Sequence, residues 1–164
     1  MAIHIHPIDL PTPYYNPIGQ IAAGSNLTEV FMASIIWHFH GITDPKVGRL
    51  FTYHANFARK LRILEETIDM RVTDPTLKNK LLALHDEADA LRIARNAFVH
   101  GLWGHMPEEP KTWKRFDMQK INKKTSLMNR TVVPLKNLKA MAARVRKLNM
   151  DFETLMRENG TPPP

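Results

Sequence analysis

Two Asp-Pro dipeptides, Asp44-Pro45 and Asp74-Pro75, dictate where two helices of this chain begin. In each, a carboxylate able to cap free N–H groups precedes a proline whose missing N–H costs nothing at a first helical turn. Behind each, apolar residues recur every three or four positions, the spacing that lines one side of a helix. After Pro45 the stripe is Val47, Leu50, Phe51, His54, Phe57, Ala58, Leu61, Leu64, Glu65 and Ile68, which predicts one helix to about Arg71. After Pro75 it is Leu77, Leu81, Leu84, Ala88, Leu91, Ala94 or Arg95, and Phe98. Helix packing is therefore expected to supply most of the buried surface.

Upstream, the run from Val30 to Trp37 is apolar on nearly every side, so the first helix is expected to be central and buried. It runs to about His40 and begins either near Ile18 or at Ser25 or Asn26, where Asn26 and Glu29 are spaced as a capping box. Gly24-Ser25-Asn26 is a weak point in either case. Residues 1–17, with Pro7, Pro11, Pro13 and Pro17 around Tyr14 and Tyr15, read as an extended Pro-rich arm.

Between Gly104 and Val133 the pattern shortens. Thr112 to Gln119 and Ser126 to Val133 read as two strands of a hairpin turning at Asn122-Lys123-Lys124. Pro134 precedes a last helix, about Leu135 to Asn159, with Leu138, Met141, Ala142, Val145, Leu148, Phe152, Leu155 and Met156 turned inward and Gly160 as its stop. Residues 161–164 are expected to be a disordered tail. The expected fold is mainly all-α, a single domain over residues 18–160. It is an up-and-down bundle of four main helices, with a short basic β-hairpin (about 104–133) inserted before the last.

A chain of 164 residues can bury a real core in one domain. It has no cysteine, which excludes disulfides, thiol nucleophiles and Cys-based zinc sites. His4-x-His6 and His38-x-His40 lack carboxylates at metal-binding spacing. No Gly-rich phosphate loop, Ser-His-Asp signature or Glu-x-x-His pair is present, so neither metal nor cofactor is expected. The amino terminus does not read as a secretory signal, and no apolar run approaches the roughly 18 residues a membrane helix needs. A soluble, cytoplasmic protein with no membrane partner is expected.

Charge is unevenly placed. No Lys or Arg precedes Lys46, whereas twelve occur from Lys111 to Lys147 against one acid, Asp117. That local surplus exceeds the net +7 of the whole chain, so the remainder is acidic. A concentrated basic block suits a polyanion, although a solvated lysine-rich surface has the same composition.

The third helix closes with Ala94-Arg95-Asn96-Ala97-Phe98-Val99-His100-Gly101-Leu102-Trp103. A permanent cation, an amide and a titratable ring within six positions suit work on phosphates, because guanidinium neutralises charge on oxygen and imidazole moves protons. Asn96 and His100, four apart, share a side of the helix, and Gly101 is the usual residue for a left-handed helix end. Arg95 is five positions from His100, so about 140° of helical rotation separates them. Their side chains are expected to meet between two copies of the helix rather than within one.

The segment Arg95-Asn96-x-x-x-His100-Gly101 resembles the R-N-x-x-x-H signature of HEPN domains, small helical proteins whose active members are metal-independent ribonucleases. The resemblance covers roughly Ile18 to Gly160. It implies a symmetric homodimer with a composite site, two Arg95 and two His100 lining one groove. It also implies an endoribonuclease of toxin or defence type that leaves 2′,3′-cyclic phosphate and 5′-hydroxyl ends. Arg95 would stabilise the phosphorane and His100 would transfer protons, supported by Asn96, Glu29 and Trp103. Lys111, Lys114, Arg115, Lys120, Lys123, Lys124 and Arg130 would hold the RNA, and an antitoxin or other protein is a further expected partner. Some toxin members carry a tyrosine two residues after the histidine; Leu102 stands there in this chain, so silencing through that tyrosine is not expected.

Each residue also has a quieter role open to it. His100 would be favoured at a helix C-terminus by the dipole alone. Arg95 would pair with Asp86, Asp89 or Glu29 on the surface. Asn96 would bond backbone, and Trp103 would sit in the core. Two alternatives to catalysis follow: a non-catalytic module that holds nucleic acid or a nucleotide, and a helical scaffold.

Overall fold

In the computed structural model the chain is mainly helical, with a small antiparallel sheet before the last helix. The structure describes residues 10–106, 109–121 and 125–161. In chain order the elements are α1 (Thr12–Phe39), α2 (Pro45–Thr52), α3 (Phe57–Arg71), α4 (Pro75–Val99), β1 (Leu102–Met106), β2 (Glu109–Ile121), β3 (Thr125–Val132) and α5 (Leu135–Glu158). They divide into two compact units, residues 1–22 with 94–143 and residues 23–93 with 144–164.

Both Asp-Pro starts behave as the residues dictate. Asp44 accepts from the Lys46 N–H at 2.8 Å, and Asp74 accepts from Thr76 and Leu77 at 3.2 and 3.1 Å. The single helix expected from Pro45 to Arg71 is, however, two. Asn56 caps a new start, accepting from the Arg59 N–H at 2.9 Å, and residues 53–56 break the run. The break shifts the phase. Leu61, Leu64 and Ile68 of α3 are buried, while Val47, Leu50 and Phe51 of α2, placed inward by the sequence pattern, lie exposed. α2 packs through Gly48 instead: a Cβ there would stand 2.5 Å from the Trp37 ring.

α1 begins at Thr12, earlier than either start read from the pattern, so residues 12–17 of the supposed extended arm are helical. Pro13 lies in the first turn, where N–H groups lack partners anyway; Pro17 removes only the bond to the Pro13 carbonyl. Residues 1–9 lie outside the described residues. Asn26 is interior to α1 rather than a cap. Both α1 and α5 end in paired 6→1 and 5→2 bonds with glycine at positive φ. Ile42 N–H donates to Trp37 O (2.9 Å) with Gly41 at +66°, and Thr161 N–H donates to Met156 O (3.0 Å) with Gly160 at +64°. Thr161 is buried, so it is not part of a disordered tail; 162–164 lie outside the described residues.

The second unit is a helical bundle of residues 23–39 of α1, α2, α3, and parts of α4 and α5. Its core includes Phe31, Met32, Ile35, Ile36, Leu64, Ile68, Leu81, Leu148 and Phe152, with the Phe31 and Phe152 rings stacked at 6.2 Å. At Gly24 the helices come close: a Cβ there would meet Val145 Cγ1 at 2.5 Å. Asn149 Nδ2 donates to Gly24 O (2.9 Å), and the Thr28 hydroxyl reaches Asn149 Oδ1 at 2.7 Å. The stretch read as a weak point is thus a close helix contact closed by polar bonds, that between Thr28 and Asn149 buried.

In the first unit β2 pairs with β3 in the register Lys114↔Val132 through Ile121↔Thr125, the hairpin expected from the sequence. β1 was not foreseen. It pairs antiparallel with β2 through Leu102↔Phe116 and Trp103↔Arg115, making a three-stranded sheet in the order β1-β2-β3. Leu10, Ile21, Trp103, Val133, Leu138, Met141 and Ala142 are buried in this unit.

Candidate active site

The site residues of the first unit gather where α4 stops and β1 starts. Helical geometry ends at Val99, and the His100 N–H still reaches Asn96 O at 3.2 Å. Because His100 stands one residue past the helix, its ring is not held to the helical rotation. Arg95 Nη1 lies 3.1 Å from His100 Nε2, within one chain. This corrects the expectation that the two groups would meet only across two copies. The same Nη1 donates to Asn96 Oδ1 at 3.0 Å, so one nitrogen directs its two hydrogens at the amide and the imidazole. A guanidinium can only donate, so in this contact Nε2 stands as the acceptor. Arg95 Nε is buried without a hydrogen-bond partner, while the Asn96 and His100 side chains lie at the surface.

Gly101 does not take the left-handed turn expected of it; among the described glycines only Gly41 and Gly160 have positive φ. Its lack of a side chain serves a different end. A Cβ at Gly101 would collide with Ala97 O and stand 2.7 Å from both Cγ and Cδ of Arg115. The chain thereby passes directly from α4 into β1, and the stem of Arg115 on β2 lies against it.

Trp103 is buried at 7% exposure, so its ring is not presented to a base. It holds the helix end instead: Nε1 donates to Phe98 O at 3.1 Å, and the ring meets Tyr14 edge-on at 6.2 Å. The Arg115 guanidinium lies over the Phe98 ring at 5.8 Å.

The other residues drawn from the sequence fall as follows. Glu29 pairs with Lys60 at 2.7 Å in the second unit. Asp89 is engaged by Arg92 and Asp86 by His85. Lys111, Lys114, Arg115 and Lys120 stand along β2, and Arg130 stands on β3 opposite Phe116. Lys123 and Lys124 lie outside the described residues. Farther along the basic block, Arg144 grips Glu87 through both carboxylate oxygens at 2.9 Å. Sequence reasoning missed Phe98 and Tyr14 as supports, and it gave Gly101 the wrong job. Among the described residues no cluster of three or more His, Asp or Glu could hold a metal ion, and no helix is long and apolar enough to cross a membrane.

No protein-family model, curated protein or solved structure matches this chain.

Proposed function

We propose that this chain is a HEPN-like, metal-independent endoribonuclease that acts as a homodimer, of toxin or defence type. One observation carries the reading: Arg95 and His100 converge to 3.1 Å at an exposed helix end, with Asn96 bonding the same guanidinium nitrogen. In the proposed reaction a neutral imidazole takes the proton of a ribose 2′-hydroxyl as its oxygen attacks phosphorus. The P–O5′ bond breaks, and the departing oxygen takes a proton from an acid, leaving 2′,3′-cyclic phosphate and 5′-hydroxyl ends. Arg95 stabilises the charge on the equatorial phosphorane oxygens. Attacking and leaving oxygens sit on opposite sides of phosphorus, so one ring cannot serve both. A second copy would supply the other His100, which is the chemical reason to retain the dimer now that one chain already unites its own Arg95 and His100.

In the structure Arg95 Nη1 lies against His100 Nε2, so Nε2 can serve as the base only after substrate phosphate draws the guanidinium away. That contact favours the second reading, a module that binds nucleic acid without cutting it. Incubation with total RNA in EDTA separates the two. The proposal expects chelator-resistant cleavage by the wild type, reduced at least a hundredfold in His100→Ala and Arg95→Ala. RNA binding without product would support the binding module, and full activity in both variants would contradict the assigned chemistry.

A further inference from the structure

The strand next to the motif carries a second arginine whose position depends on the residue that follows His100. Arg115 faces Trp103 in the β1–β2 register, its Cγ and Cδ lie against Gly101, and its guanidinium rests on Phe98. These contacts reach the helix end from three sides: through β1, through the glycine after His100, and through the ring three residues after Arg95. A β-carbon at position 101 would occupy the space of the Arg115 stem. Position 101 therefore decides whether a strand-borne cation can reach the end of α4.

We propose that Arg115 is a substrate-positioning residue, admitted by Gly101, that holds an RNA phosphodiester beside the one engaged by Arg95. The assignment rests on the reading above that RNA is the ligand. Arginine suits the task because its planar fork matches two phosphate oxygens at once, and the Phe98 face limits where the fork can lie. Two guanidiniums at one helix end would engage consecutive phosphates and so set which ribose lies beside His100. This distinguishes Arg115 from the rest of the basic block, which would contact the backbone without fixing its register.

The test is equilibrium binding of a short single-stranded RNA to the full chain, with thermal melting in parallel, and it does not require cleavage. Arg115→Gln is compared with Arg115→Lys and with Arg62→Gln, an exposed position of α3 in the second unit that loses the same charge. Arg115→Gln is expected to weaken binding at least tenfold while the protein stays folded at the assay temperature. Arg115→Lys should recover part of the loss, and Arg62→Gln should change binding less than twofold. Equal effects of Arg115→Gln and Arg62→Gln would overturn the assignment. So would a binding loss matched by a fall in melting temperature and not recovered by lysine, or a wild type that binds no RNA. If binding behaves as stated but the wild type never cleaves, the nuclease reading fails while Arg115 keeps its role.

Discussion

At the scale of single residues, the arrangement turns on which hydrogens of Arg95 are spoken for. Nη1 is shared between Asn96 Oδ1 and His100 Nε2, so the amide fixes the direction from which the guanidinium meets the ring. Asn96→Ala should leave the guanidinium mobile and lower cleavage about tenfold, equivalent to ~1.4 kcal/mol at the transition state. Because Asn96 is exposed, its melting temperature should not move, and single-turnover kinetics beside a thermal melt checks both. Trp103 predicts the reverse pattern. Trp103→Phe keeps an aromatic body against Tyr14 but deletes the bond to Phe98 O, which should cost about 1 kcal/mol of stability measured by urea unfolding.

At the scale of elements, α1 and α5 come close at Gly24. Gly24→Ala would press a methyl group into Val145 and should cost about 1–3 kcal/mol, read as a lower urea midpoint. Asn149→Leu removes partners from both Gly24 O and Thr28 inside the same contact and should cost a similar ~1–3 kcal/mol. Elements were legible where a residue type admits a single local use. Asp44-Pro45 and Asp74-Pro75 open helices, Gly160 closes one, and alternation through Lys114 to Val132 makes a hairpin. They were illegible where periodicity continues in phase through a break. The stripe Val47, Leu50, Phe51, His54, Phe57 runs unbroken in sequence, yet Asn56 caps a new helix and leaves the first part exposed. Pro13 and Pro17 hid the start of α1 because proline signals a break only where an N–H is needed. In the site, Arg95 and His100 were legible as types but not as a pair. Helical rotation separates side chains only within the helix, and His100 stands one residue beyond it.

At the scale of the whole molecule, the charge distribution governs how any nucleic acid would bind. Arg144 and Lys147 are paired locally with Glu87 and Asp151, which leaves residues 111–130 as the larger share of the basic block. If the seven residues assigned to RNA there all contact phosphates, the slope of log K against log salt should be about −5 on a single strand. Each Lys→Gln change among them should reduce it by about 0.7, and a salt titration of binding measures both. A slope near zero would mean that the block is solvated surface.

The central claim, that Arg95 and His100 together cut RNA through its 2′-hydroxyl, is tested most directly by product mass. A DNA oligonucleotide carrying one ribonucleotide is incubated with the protein in EDTA and its fragments are weighed. The account predicts scission only after the ribose, with a 2′,3′-cyclic phosphate on one fragment and a 5′-hydroxyl on the other, and no fragments with His100→Ala. Cleavage of the all-deoxy strand, or fragments bearing 5′-phosphate, would contradict it.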